Sequence, residues 1–291
     1  MATPDPALDG LLLVDKGAGM TSHDVVDAAR RALHTRRVGH AGTLDPFATG
    51  LLVLLVGRAT RLASYLDAEP KVYEVTIRLG AETDTDDATG ATSREAPLPG
   101  EAAVRGAIGA LTGPVSQVPP AYSAKRVGGV RAHAAARRGA ALDLAPVAVT
   151  VHGWRDVAMN GDLVRATITC SGGTYVRALA RDLGRAAGSA AHCVALRRIA
   201  AGAFSVGDAL PLAALRGRGA AAIRPALGGL DATLVREGVD ADACRRLRNG
   251  QRVPARLPGA RAALVAPDGA LVGIAERQGD EWQPTVVLAD G

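Results

Sequence analysis

Gly-His-Ala-Gly-Thr-Leu-Asp-Pro-Phe-Ala-Thr-Gly (39–50), running directly into Leu-Leu-Val-Leu-Leu-Val (51–56), sets the terms on which the rest of this chain is read. Gly39, Gly42 and Gly50 can take positive φ, while Pro46 fixes its own φ and biases Asp45 towards an extended conformation. The apolar run that follows has strand length and no polar alternation, the pattern of a buried strand. An aspartate on a rigid turn beside a buried strand is a firm mount for a single carboxylate. Leu-Asp-Pro by itself is also an ordinary turn sequence. The meaning of Asp45 therefore depends on what the other segments supply.

Upstream, Leu11–Val14 reads as a short strand that enters Asp-Lys-Gly-Ala-Gly-Met. Thr21 with Asp24 three residues on makes a capping box, and Val25, Val26, Ala29, Ala32 and Leu33 follow at helical spacing, which predicts a helix over 22–34. Downstream, Arg58–Leu66 reads as a short helix. In Lys71–Leu79, Tyr73, Val75, Ile77 and Leu79 alternate with polar residues, as in a half-buried strand. Residues 81–100 are rich in Thr, Asp, Gly and Pro and read as a loop. Glu101–Leu111 and Thr174–Ala187 read as helices, and 147–153, 163–170 and 192–200 as strands. A Gly/Ala/Arg-rich stretch near 214–230 loosens the pattern before a helix over Asp240–Asn249. Short strands near Ala262–Val265, Leu271–Ala275 and Thr285–Leu288, separated by Asp-Gly and Gly-Asp turns, make a small all-β unit. The domain boundary falls near residue 236.

The 291 residues are 48% hydrophobic and 22% charged, the composition of an ordinary globular protein. No apolar run approaches the roughly 18 residues that span a membrane, and the N-terminus has no signal-peptide pattern, so a cytoplasmic chain is expected. Cys170, Cys193 and Cys244 are far apart, with no C-x-x-C pair, which suggests neither disulfides nor zinc. P-loop, dinucleotide-binding, nucleophile-elbow and zincin motifs are absent from the sequence, and its six histidines form no ligand spacing. Nucleotide-driven, hydride-transfer, serine-hydrolase and zincin mechanisms thereby lose their main support. A net charge of +5 permits a polyanionic partner, although where the charge concentrates matters more.

Three further segments carry chemistry. Thr-Asp-Thr-Asp-Asp-Ala-Thr-Gly (83–90) crowds three carboxylates without calcium-loop spacing and reads first as a solvated acidic loop. In Cys-Ser-Gly-Gly-Thr-Tyr-Val-Arg (170–177) a strand ends, glycines turn the backbone and a helix begins, placing Tyr175 and Arg177 in its first turn. An arginine there opposes the helix dipole, so an acidic partner has to reward it. Asp45 would do so through a bidentate pair, while a surface arginine or a structural ion pair are the competing readings. Residues 122–142 contain Lys125, Arg126, Arg131, Arg137 and Arg138 and no acid, flanked by Pro119-Pro120 and Pro146. A solvated basic face is the default for such a run. A basic protrusion inserted between core elements also suits a phosphate backbone.

Together these segments resemble the TruB family of tRNA pseudouridine synthases, from about Leu11 to Phe204. The matching stretches are Asp-Lys-Gly-Ala-Gly-Met-Thr-Ser (15–22), residues 39–50, Lys-Val-Tyr-Glu-Val (71–75), residues 83–90, Pro-Pro-Ala-Tyr-Ser-Ala-Lys (119–125), Gly-Thr-Tyr-Val-Arg (173–177) and Leu-Arg-Arg (196–198). The resemblance implies an α/β chain of α+β type: the pseudouridine synthase fold, with a mixed, mostly antiparallel central sheet flanked by helices. It places the catalytic domain at 1–236, with an RNA-gripping insertion at about 122–152, and a small PUA-like RNA-binding β domain at 237–291. It implies isomerisation of the uridine at position 55 in the tRNA T-loop, with no cofactor and no metal.

By the same resemblance Asp45 is the catalytic aspartate, acting either by attack or by removing a ribose proton. Arg177 pairs with it, Tyr73 stacks on the target base and His40 wedges into the T-loop as the nucleotide flips out. Asp87 and Tyr175 line the pocket, Leu196 makes an apolar contact and Lys16 supports the first motif. The family commonly has Lys-Pro where this chain has Lys16-Gly17, which implies a looser local turn. Two other readings compete: an RNA-binding module without chemistry, and a guide-RNA-directed relative within a multiprotein particle. The Asp45/Tyr73/Arg177 set argues against the first. The lack of a Lys-rich tail argues against the second, so a stand-alone monomer without an obligate protein partner is expected.

Overall fold

The computed structural model describes residues 8–123, 125–127, 130–132, 135, 138 and 142–288, except the side chains of 126, 127, 130 and 131. The first elements are β1 (Gly10–Lys16), α1 (Ser22–Ala32), β2 (Val38–Ala41) and β3 (Thr49–Val56). Next come β4 (Lys71–Leu79), β5 (Ala81–Thr83), β6 (Thr92–Glu95), α2 (Glu101–Ala110) and β7 (Gly113–Gln117). The basic segment contains β8 (Arg126–Val127) and β9 (Val130–Arg131). Then follow β10 (Val147–Asn160), β11 (Leu163–Cys170), α3 (Val176–Ala186), β12 (Ala191–Ala201), β13 (Phe204–Ser205) and β14 (Leu210–Pro211). The chain closes with β15 (Val235–Gly238), α4 (Ala241–Arg248), β16 (Val253–Pro254), β17 (Arg261–Val265), β18 (Leu271–Gln278) and β19 (Glu281–Val287).

Two compact units result. One comprises Met1–Pro46, Gly50–Ala68 and Ala203–Gly291, the other Phe47–Thr49 and Glu69–Gly202. In the first, β1 lies between β14, which it meets in parallel, and β3, which it meets antiparallel with Leu11 opposite Leu55. β2 also pairs antiparallel with β3, so the motif at 39–50 begins as a strand. Leu51–Val56 are almost wholly buried, which is why that run shows no alternation. Thr21 caps α1 through the expected box: its hydroxyl accepts from the Asp24 amide while Asp24 accepts from the Thr21 amide.

The same unit holds the C-terminal sheet, ordered β15-β17-β18-β19-β16. Its core gathers Trp282, Leu264 and Val272 with Leu247 of α4. The Trp282 indole donates to Glu237, which also accepts from the Leu257 amide, so this buried carboxylate is held from two segments. Asp268-Gly269 and Gly279-Asp280 make the turns, with Gly269 and Gly279 at positive φ.

In the second unit β12, β4, β11, β10 and β7 are successive antiparallel neighbours, with Tyr73 opposite Ile168 and Val75 opposite Leu196. Tyr73, Val75, Ile77 and Leu79 are buried on one face, as the alternation predicts. Three expectations change. Strand β10 runs on to Asn160 rather than ending at 153, because register shifts at 151–153 and 155–158 break the alternation that marks a strand. The stretch at 81–100 is not simply a loop, since β5 and β6 pair across it. The acidic segment within it is not a solvated loop either, because Asp86 and Asp87 are buried. The mixed α/β architecture with its mostly antiparallel strands is otherwise the expected one. Among the described residues no helix is long and apolar enough to cross a membrane.

Candidate active site

The turn that carries Asp45 is clamped on both sides. Before it, the Leu44 amide donates to the Ser22 hydroxyl at 2.8 Å and that hydroxyl donates back to the Leu44 carbonyl at 3.1 Å. After it, the Pro46 carbonyl accepts from the Gly19 amide at 2.8 Å and from the Lys16 ammonium at 3.3 Å. The ammonium also donates to the carbonyls of Met20 at 2.7 Å and Gly17 at 3.0 Å. The segment after Lys16 is therefore wrapped around Nζ rather than loose, and Gly19 turns it at φ +83°. Lys16 is fully buried, and burial pushes its pKa down to about 8 against the opposing pull of Asp45 and then Asp24. Buried polar groups with this many partners hold a backbone rigidly. Sequence reasoning gave Lys16 a supporting place and gave Ser22 and Gly19 none.

In the second unit, the start of α3 has no side-chain cap of its own. Buried Gln117 supplies one from β7: its carbonyl accepts from the Tyr175 amide at 2.8 Å and its amide donates to the Tyr175 carbonyl at 3.1 Å. Arg177, Arg181 and Arg185 follow at four-residue spacing on one face of α3. Each meets an acid from the 82–87 segment. Arg177, only 3% exposed, lies 3.3 Å from Asp87 and donates to the carbonyls of Thr85 at 2.7 Å and Tyr122 at 3.0 Å. Arg181 pairs with Asp86 at 2.8 Å, and Arg185 with Glu82 at 2.7 Å. Arg94 adds a second cation to Glu82, and bonds from Arg185 foremost hold that carboxyl below its usual range. Asp87 accepts further from the Thr85 hydroxyl and the Thr89 amide, both at 2.9 Å. Arg177 is thus no surface arginine.

Tyr73 and Leu196 sit on neighbouring strands β4 and β12, both largely buried. Leu196 also borders a cleft of about 530 Å³ with Phe47, Glu74, Thr76, Arg165 and Thr167. His40 is half-buried on β2, opposite Leu54. Among the basic residues of the insertion, Lys125 and Arg138 are exposed. Arg126 and Arg131 face each other on β8 and β9 by backbone register, and Arg137 lies outside the described residues. The structure thus brings Asp87 to Arg177 and Lys16 to the Asp45 turn. Among the described residues no cluster of His, Cys, Asp or Glu has metal-ligand geometry.

Asp86 holds a left-handed backbone at φ +59°, and burial lifts its carboxyl to about 6 despite Arg181 and Arg177. A carboxyl raised from its ordinary value of 3.8 favours the fold while protonated. That contribution is complete below about pH 4 and is lost as the pH rises through about 6. Asp86→Asn removes the titration, and Asn tolerates the left-handed conformation. Wild type is therefore expected to lose on the order of 2 kcal/mol relative to Asp86→Asn between about pH 4 and pH 6.5. Urea unfolding of both proteins across that range measures it, and parallel stability curves contradict it.

Comparison with known proteins adds a second line of observation. Residues 30–176 match the family model described as TruB family pseudouridylate synthase (N terminal domain). Residues 235–289 match the one described as tRNA Pseudouridine synthase II, C terminal. A protein of Thermobifida fusca called tRNA pseudouridine synthase B is 45% identical, over 97% of this chain and 99% of its own. One of Nocardia farcinica with the same name is 45% identical, over 98% of this chain and 94% of its own. A chain from an H/ACA ribonucleoprotein bound to a substrate RNA containing 2'-deoxyuridine superposes over 100% of this chain and 92% of its own, with a TM-score of 0.72 at 19% identity.

Proposed function

The chain belongs to the TruB family of pseudouridylate synthases, and from that premise we propose that the Asp45 turn is the catalytic centre of a tRNA pseudouridine synthase. The enzyme isomerises uridine to pseudouridine in the tRNA T-loop. In that reaction the C1′–N1 bond breaks, the base rotates and a C1′–C5 bond forms. N1 gains a proton and C5 loses one. Nothing is oxidised or hydrolysed.

The observation that carries the reading is the double clamp on Asp45. Bonds to Leu44 and Pro46 on either side leave the carboxylate on a backbone that does not have to reorganise when RNA arrives. In its carboxylate form Asp45 either attacks the sugar or removes a ribose proton. Arg177 is its counter-charge, fixed by Asp87 and two carbonyls. Tyr73 stacks on the flipped base, Tyr175 and Leu196 line its pocket, and His40 enters the opened T-loop. Lys16 serves the turn rather than the substrate.

The catalytic segment is 1–236. Its insertion at 122–152 grips the T-arm through Lys125, Arg126, Arg131, Arg137 and Arg138, and residues 237–291 make a second RNA contact. The enzyme works in the cytoplasm as a monomer without a protein partner. The catalytic reading is tested with a T-arm stem-loop tritiated at uridine C5. Release of tritium to water at a rate set by the protein supports it, and retention of the label contradicts it. The insertion is tested separately. Replacing Arg131, Arg137 and Arg138 with Ala is expected to weaken tRNA binding about tenfold or more and to reduce the slope of log K against log salt by up to about three. An unchanged slope would place the phosphate contacts elsewhere.

A further inference from the structure

Arg177 is held by two short stretches of chain. Thr85 and Asp87 come from one, and the Tyr122 carbonyl from the other. Between Thr85 and Asp87 lies Asp86, whose left-handed backbone sends its side chain to Arg181, one helical turn beyond Arg177 on α3. The other guanidinium nitrogen of Arg181 donates to the Val118 carbonyl at 2.9 Å, at the head of the stretch that ends at Tyr122. Its Nε donates to Asp182 at 2.9 Å, which fixes the plane of the fork. Arg181 is 8% exposed, so this network works with little water to substitute for a lost partner. The Asp86 backbone is itself tied to β12, its carbonyl accepting from the Cys193 amide at 3.0 Å.

We propose that Arg181 is a positioning residue for the uridine isomerisation: it staples both stretches that hold Arg177, through Asp86 on one side and the Val118 carbonyl on the other. This rests on the assignment of Arg177 to the active site. A planar fork with several donors suits the task, because one side chain bonds two separate segments in fixed directions. The third rung, Arg185 with Glu82, reaches neither stretch and is partly exposed, so it ties the hairpin to α3 without touching what holds Arg177.

The test compares Arg181→Met, Arg181→Lys and Asp86→Asn with Arg185→Met, each assayed for kcat, KM and urea stability on a T-arm stem-loop. The two Arg181 variants and Asp86→Asn are expected to lower kcat about tenfold or more, with KM within about threefold of wild type. Arg181→Lys, which keeps the charge opposite Asp86, is expected to recover part of the loss. Arg185→Met is expected to lower stability while leaving kcat within about twofold. If Arg181→Met does not fold, Arg181→Lys and Asp86→Asn decide. Wild-type kcat in folded variants overturns the proposal. So does an Arg185→Met that loses kcat in step with its stability, since that is what a merely structural role predicts. Arg177→Met run alongside separates the two assignments. An active Arg177→Met overturns the active-site reading, whereas an inactive one beside unaffected Arg181 variants overturns only the staple.

Discussion

Asp45→Asn is expected to lower the turnover of a T-arm stem-loop by more than about a thousandfold while leaving RNA affinity within a few-fold. Removing the group proposed to do the chemistry costs the rate in this range, whereas binding is shared over many contacts. Asn is nearly isosteric, and the clamp at Asp45 is made by main-chain groups of Leu44 and Pro46, so the turn survives the change. A single-turnover assay at saturating enzyme separates the two effects. Activity near wild type would remove Asp45 from the mechanism. A parallel collapse of binding would instead mean that the turn had been damaged.

Arg177→Met is expected to act on turnover and on stability together. It removes the counter-charge proposed for Asp45 and leaves Asp87, 4% exposed, without the cation that faces it. Breaking a buried ion pair from one side costs about 3–5 kcal/mol, because the remaining charge stays buried. Turnover is expected to fall about a hundredfold or more, and the urea midpoint to fall with it. Asp87→Asn/Arg177→Met removes both charges and is expected to regain part of the stability and none of the turnover. Recovery of turnover in the double variant would make Arg177 a structural residue only.

Much of this was legible in the sequence, for reasons that can be named. Lys71–Leu79 alternates, so its strand and its buried face follow from period alone. Thr21 and Asp24 form a local capping box, and local hydrogen bonds are written in short spacings. The Leu51–Val56 run could only be buried. The hidden parts are those decided by partners far along the chain. Asp86 and Asp87 look like a solvated acidic loop until α3 supplies arginines at four-residue spacing some ninety residues later. Gln117 gives no sign of capping a helix that starts 59 residues further on. Ser22 reads as the first residue of a helix, yet its hydroxyl is what grips Leu44. The extension of β10 was masked by its own irregularity, since the register shifts that bend the strand also erase its alternation.

The most direct measurement is position-by-position chemical mapping of pseudouridine in tRNA incubated with the protein, with Asp45→Asn, or with neither. The wild-type protein is expected to produce pseudouridine at the T-loop uridine, position 55, with that signal absent from both controls. Modification confined to another position, no modification at all, or an equal signal from Asp45→Asn would contradict the assignment of the Asp45 turn as the centre of this reaction.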